Sequence, residues 1–256
     1  AWEMANPALG YRLQPAVIQD ELAAMEPGTF MRERLGIWVL GAGESEALPM
    51  EDWAQCADRE FRVDPGTIDQ MSLSVDLSPA RDSGSVVAAI SFNDGSAPIV
   101  DVIDQRAGSV DWIVPRVEQI VADREVSSVV IDGYGPAASL ITELESRGVG
   151  VTRIQVAYVA AATERMIDAV VTHTLRHLDQ PSLKVAIAGA RRRKIGGDGR
   201  IAFGRLSSAT DISPLVAASL AFHALSTHES DLAPIRYRRK RRKGQKKNYT
   251  GKVVAY

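Results

Sequence analysis

Apolar and polar residues alternate along Met71-Ser72-Leu73-Ser74-Val75-Asp76-Leu77, which predicts a strand with one apolar face. Ser85-Val86-Val87-Ala88-Ala89-Ile90-Ser91-Phe92 predicts a second strand, and Asn93-Asp94-Gly95 supplies a hairpin-type turn after it. A third strand is expected at 98–104. The period then changes. Between Val110 and Arg124, the residues Ile113, Val117, Ile120 and Val121 share one helical face. Ser128-Val129-Val130-Ile131-Asp132 is the short apolar run of a strand buried on both sides in a parallel sheet. Gly133-Tyr134-Gly135-Pro136 leads into a helix at 137–147, which Gly148 ends, and a fifth strand is expected at 150–156. Helices follow at 163–178 and 181–190. Lys194 to Phe203 reads as a β-hairpin with a Gly-rich tip, and 212–226 as an apolar helix with Pro214 in its first turn. The pattern before residue 71 predicts a helix at 15–25, a short helix at 30–36 closed by Gly36, an exposed polar connection at 41–49 and a short helix at 51–56.

Three hairpin-linked strands, a helix, a strand, a helix and a strand is the order of an α/β, ribonuclease H-like fold. It has a mixed central sheet flanked by helices, here with an added β-hairpin. The expected divisions are a linker segment over 1–70, the ribonuclease H-like unit over 71–233 and a basic tail over 234–256.

Composition narrows the class. A 45% hydrophobic and 24% charged chain of 256 residues is that of a globular protein. No apolar run approaches the roughly 18 residues of a membrane span. The first residues lack the basic and apolar regions of a signal peptide. A single cysteine, Cys56, excludes an internal disulfide and a cysteine zinc site, and reads as a small buried side chain. The four histidines (His173, His177, His223, His228) show no zinc spacing and read as structural or exposed. The net charge of -2 conceals an acidic first segment and a tail with six consecutive basic residues from Arg238 to Lys243. That tail has no apolar pattern, which suits a flexible segment that binds DNA or an acidic surface.

The chemistry gathers on three carboxylates. Asp76 lies inside an apolar strand, where an ionised group is costly unless it is paired, hydrogen-bonded or bound to a cation. Asp132 ends the Val129-Val130-Ile131 run, where ligand sites of open α/β sheets collect, although a turn before Gly133 would also explain it. Asp211 precedes the most apolar helix, and N-capping alone would account for it. Together they suggest one oxygen-rich site for Mg²⁺ or Mn²⁺, with two ions promoting in-line phosphodiester hydrolysis. Asp82 and Asp104 are both candidates for a fourth ligand.

With these residues in place, the chain resembles the C-terminal nuclease domain of the large terminase subunit of tailed bacteriophages. Trp2 and Asn6-Pro7-Ala8-Leu9-Gly10 are similar to the segment that follows the ATPase core in that family. Phe30-Met31-Arg32-Glu33-Arg34-Leu35-Gly36-Ile37-Trp38 resembles its "F-x-R-E-x-L-G-x-W" stretch. Ser74-Val75-Asp76, Val130-Ile131-Asp132-Gly133 and Thr210-Asp211-Ile212-Ser213-Pro214-Leu215 fall where the family carries its metal-binding acids, and 177–193 resembles the stretch before its nuclease hairpin. The resemblance implies that Asp76, Asp132 and Asp211 are catalytic metal ligands. It further implies a metal-dependent endonuclease that cuts double-stranded concatemeric DNA during phage genome packaging. Its partners would be the small terminase subunit and the portal protein, and its place the cytoplasm of the infected bacterial host. It also implies a missing ATPase domain. The chain has no G-x-x-x-x-G-K-S/T loop, and Gly41-Ala42-Gly43-Glu44-Ser45 lacks its lysine and its spacing.

Arg191, Arg192, Arg193 and Lys194, with Arg200 and Arg205 on or near the hairpin, are the expected phosphate contacts; a solvated edge strand is the plainer reading. A resolvase or transposase-like nuclease would keep the acids but leave residues 1–40 unexplained. Sugar kinases and actin-like ATPases share the sheet, but want glycine and Ser/Thr closely after the first aspartate, where Pro79-Ala80-Arg81 stands. A non-catalytic DNA-binding module would reduce the acids to caps and turns.

Overall fold

The computed structural model describes residues 10–11, 14–25, 47–196 and 199–226. The short helix expected at 30–36, most of the 41–49 connection and the basic tail lie outside them. The elements in chain order are α1 (Pro15–Ala24), α2 (Met50–Gln55), β1 (Ile68–Leu77), β2 (Ser83–Phe92), β3 (Ile99–Ala107), α3 (Ile113–Asp123), β4 (Ser128–Asp132), α4 (Ile141–Ser146), β5 (Thr152–Ile154), α5 (Val156–Val171), β6 (Arg176–His177), α6 (Pro181–Gly189), β7 (Arg192–Ile195), β8 (Arg200–Phe203) and α7 (Ser213–Ala224).

Six strands form one sheet in the order β5-β4-β1-β2-β3-β6. β1, β2 and β3 pair antiparallel, while β4, β5 and β6 join in parallel. This is the mixed ribonuclease H-like sheet expected from the element order, and β7 and β8 form the added hairpin. Each sheet face has its own core. Leu73, Val75 and Leu77 of β1 pack with Ile113, Val117 and Ile120 of α3 and with Ile141 and Leu144 of α4. On the opposite face Val87, Ala89, Val100 and Val130 pack with α5, α6 and α7. The polar half of the β1 alternation, Ser72, Ser74 and Asp76, is therefore not solvated. It lies under α7, which packs across β1 and β2 and in which every residue except His223 is buried. Burying a polar row beneath an apolar helix is costly unless each group finds a partner.

Three expectations change. The helix expected at 163–178 is α5, ending at Val171. His173 takes a left-handed φ of 52°, and the Thr174 N–H donates to Ala169 O, a helix stop that frees Arg176 and His177 to extend the sheet beside β3. The helix expected at 137–147 begins as a 3-10 turn over Pro136–Leu140, whose Pro136 O accepts from Arg81 Nη1 at 2.8 Å, and becomes α-helical from Ile141. Ala47 and Leu48, expected in an exposed connection, are buried in the core beside Trp53 and Cys56. Trp53 stacks on His177 with ring centroids 3.7 Å apart. The segment 47–56 is thus packed into the same body as the sheet. No described helix is long and apolar enough to cross a membrane.

Candidate metal centre

The register places the first two carboxylates. Ser74 of β1 pairs in parallel with Val130 of β4, so Asp76 and Asp132, each two residues further on, leave adjacent strands at one level and on one face. The row continues across the sheet, since Asp76 lies opposite Ser85 of β2 and Ser85 opposite Gln105 of β3. Asp76 is wholly buried and Asp132 nearly so.

A guanidinium joins them. Arg205 Nε donates to Asp76 Oδ2 at 2.9 Å and Nη2 to Asp76 Oδ1 at 2.9 Å, a bidentate fork; Nη2 also reaches Asp132 Oδ2 at 3.2 Å. Asp132 Oδ1 accepts from the Tyr134 N–H at 3.0 Å. Arg205 stands in the turn after β8, which is closed by Ser207 and Ser208 N–H groups donating to Gly204 O. Gly135 makes the room. Its φ of -84° is open to any residue, but a Cβ there would lie 2.8 Å from Asp132 Oδ2 and 3.2 Å from Arg205 Nη2.

Asp211 stands at the other end of the row. Its Oδ2 accepts from Ser83 Oγ at 2.6 Å, Ser213 Oγ at 2.9 Å and Gln105 Nε2 at 3.4 Å, and its Oδ1 accepts from the Ser213 N–H at 2.9 Å. Ser213 Oγ lies 2.8 Å from Ser85 Oγ, the cross-strand partner of Asp76. Asp211 stands one residue before the Ile212 N-cap of α7, accepts from the first N–H of that helix, and shares its serine partners with the polar row. Among the described residues, no trio of Asp, Glu, His or Cys closes to metal-ligand spacing. Asp76 and Asp132 converge; Asp211 is tethered nearby by serines.

The electrostatics leave the pair short of positive charge. Burial pushes the Asp76 carboxyl up to about 6, with Arg205 opposing and Asp132 adding to the rise. Burial also works against the Arg205 charge, but the two carboxylates outweigh it and hold the guanidinium protonated. One cation shared by two buried carboxylates does not neutralise them. Hard oxygen donors converging on a cation, in a cradle kept clear by Gly135, fit a divalent ion of the Mg²⁺ or Mn²⁺ type.

Arg205 is thus not on an exposed gripping edge as expected; its side chain is only 11% exposed. Arg193, Lys194 and Arg200 are exposed on the hairpin, while Arg192 Nε donates to Ala47 O and Arg191 Nη1 to Ala190 O. Asp82 accepts from Ser78 Oγ, and Asp104 pairs with Arg106 at 2.6 Å and Arg116 at 3.7 Å. His177 is structural: burial lowers its pKa, its Nδ1 accepts from the Asp179 N–H, and its Nε2 lies 2.8 Å from Trp53 O. Ser83, Ser85, Ser213, Gln105 and Gly135 were not singled out in the sequence. Serines at alternate positions of an otherwise apolar strand were the available signal.

No protein-family model matches the chain, and no curated protein matches it. Solved structures do. The HK97 bacteriophage large terminase is similar at 16% identity and a TM-score of 0.58, over 87% of this chain and 53% of that one. The large terminase of a thermophilic bacteriophage is similar at 14% identity and 0.52, over 84% and 52%. The large terminase nuclease from thermophilic phage G20c, solved with bound cobalt, is similar at 14% identity and 0.50, over 71% and 97%. This chain spans about half the length of the two large terminases. At these identities the likeness is one of fold: the chain has the fold of a large terminase nuclease domain.

Proposed function

We propose that this chain is the nuclease part of a phage large terminase, an endonuclease that uses Mg²⁺ or Mn²⁺ to cut double-stranded concatemeric DNA during genome packaging. The observation that carries the reading is the buried Asp76 held level with Asp132 on adjacent parallel strands of this sheet, both turned to one cation. The G20c nuclease, with its bound cobalt, supports a divalent ion in this fold. Asp76 and Asp132 would hold the ions, two in number, and Asp211 would complete the set from the Ser83–Ser213 tether. Such ions supply Lewis acidity to the phosphodiester and a bound water of lowered pKa.

The chain's own residues do the rest. The Ser85–Ser213 contact keeps Asp211 within reach of the β1 end. α7 and α3 cover the two sheet faces, and Asp76 and Asp132 lie at the ends of their strands. Exposed Arg193, Lys194 and Arg200 grip phosphates without reading sequence, as do Arg191 and Arg192 when the hairpin meets a duplex. The partners are double-stranded DNA, an ATPase domain of the same polypeptide, the small terminase subunit and the portal protein, in the cytoplasm of the bacterial host. In a plasmid-nicking assay, the purified chain should cut with Mn²⁺ or Mg²⁺ and not in EDTA, and Asp76→Asn should abolish cutting while keeping the native circular dichroism. Cutting that survives in Asp76→Asn or in EDTA sinks the mechanism.

A further inference from the structure

We propose that Arg205 is a resident counter-cation that fills the metal position between Asp76 and Asp132 until a divalent ion displaces it. The inference rests on the proposed metal-dependent nuclease. Metal loading is then an exchange, guanidinium out and divalent ion in, rather than the filling of an open site.

The geometry carries this. Nη2 touches both carboxylates at once, at 2.9 and 3.2 Å, so it stands where an ion bridging them would stand. An Mg²⁺ ion about 2.1 Å from the same oxygens leaves no space for that nitrogen, and two cations in contact repel. The guanidinium is therefore in competition with the metal, not an added support for it. The cradle is shaped around it, since a Cβ at Gly135 would crowd both Asp132 Oδ2 and Arg205 Nη2. Arg205 is carried on a four-residue turn, not inside a strand, its side chain keeps 11% exposure, and its neighbour Leu206 is 89% exposed, so the segment that must move is at the surface.

The arrangement explains how two carboxylates at one level are held together without a metal. They would otherwise repel each other under α7. It also gives Arg205 the role that its position beside the hairpin suggests: once released, it becomes one more cation for a DNA phosphate.

The test is metal binding by the full 256-residue chain after EDTA treatment, read as free Mn²⁺ by electron paramagnetic resonance and as heat by calorimetry. Losing three charge-assisted bonds as competitors should tighten Mn²⁺ binding in Arg205→Gln by about tenfold or more. Arg205→Lys, which keeps the charge but not the fork, should fall between. Should Arg205→Gln not fold, the native chain still decides. The Arg205 Nε–H resonance should be protected from exchange without metal, and should shift and lose that protection on Mg²⁺ addition. Tighter binding in the variant, or release of the resonance, supports the exchange. Unchanged or weaker binding in Arg205→Gln, or a resonance that stays locked while Mg²⁺ binds, overturns the exchange and leaves the metal reading standing. No Mn²⁺ binding by either protein overturns both.

Discussion

Removing the negative charge at Asp76 should stabilise the metal-free protein at neutral pH. Burial pushes the native carboxyl from the ordinary 3.8 up to about 6. Well below pH 3.8 it is protonated both folded and unfolded, and contributes no difference. As pH rises, the unfolded chain loses its proton first, so the folded state binds more protons and stability falls until the folded group has also ionised above about pH 6. A separation of about two pH units at 1.36 kcal/mol each costs the native state about 3 kcal/mol by pH 7. Asp76→Asn cannot ionise and keeps the shape of the neutral acid, and Arg205 retains Asp132. The variant should lie close to the native protein near pH 4 and exceed it by up to about 3 kcal/mol at pH 7. For a body of this size that is roughly 6–12 °C in Tm. Urea denaturation in EDTA between pH 4 and 7.5 measures the gap. The competing expectation is that breaking a buried ion pair costs about 3–5 kcal/mol. A variant less stable than the native chain at pH 7, by a margin that does not change with pH, refutes the reasoning.

Gly135→Ala places a methyl 2.8 Å from Asp132 Oδ2 without backbone strain, so it should cost no more than about 1–3 kcal/mol in denaturant while weakening Mn²⁺ binding and plasmid cutting together. A variant that cuts as well as the native chain refutes the cradle. Trp53→Ala empties a fully enclosed site stacked on His177, and should cost about 3–5 kcal/mol in the single cooperative unfolding transition of the sheet. A near-zero cost would show that residues 47–56 are peripheral.

Legibility followed periodicity and failed where pairing decides. β4 was readable to the residue, because an uninterrupted apolar run bounded by Ser127 and Gly133 admits little else. The place of Asp132 at its end is legible for the same reason. β6 was missed because two residues carry no period; what makes Arg176 and His177 a strand is the open edge of β3 and the left-handed turn at His173. Asp76 was legible as a charge misplaced in an apolar strand. That it lies level with Asp132 was not, since this depends on which residue of β4 faces Ser74. The ion pairs of Arg205 are hidden for a related reason. Nothing in Gly204-Arg205-Leu206-Ser207 separates a buried ion partner from a phosphate contact, because its partners lie more than seventy residues away in the chain. Asp211 allows two readings in the sequence, cap or ligand, because its partners Ser83 and Gln105 lie more than a hundred residues away in the chain.

The most direct test of the central claim is a crystal structure of the chain soaked in Mn²⁺, with the ions located by anomalous scattering. The account predicts manganese within about 2.1–2.3 Å of carboxylate oxygens of Asp76 and Asp132, with Asp211 drawn into the shell. Manganese bound elsewhere, or an Asp76–Asp132 pair that keeps Arg205 and takes up no ion at saturating Mn²⁺, would contradict it.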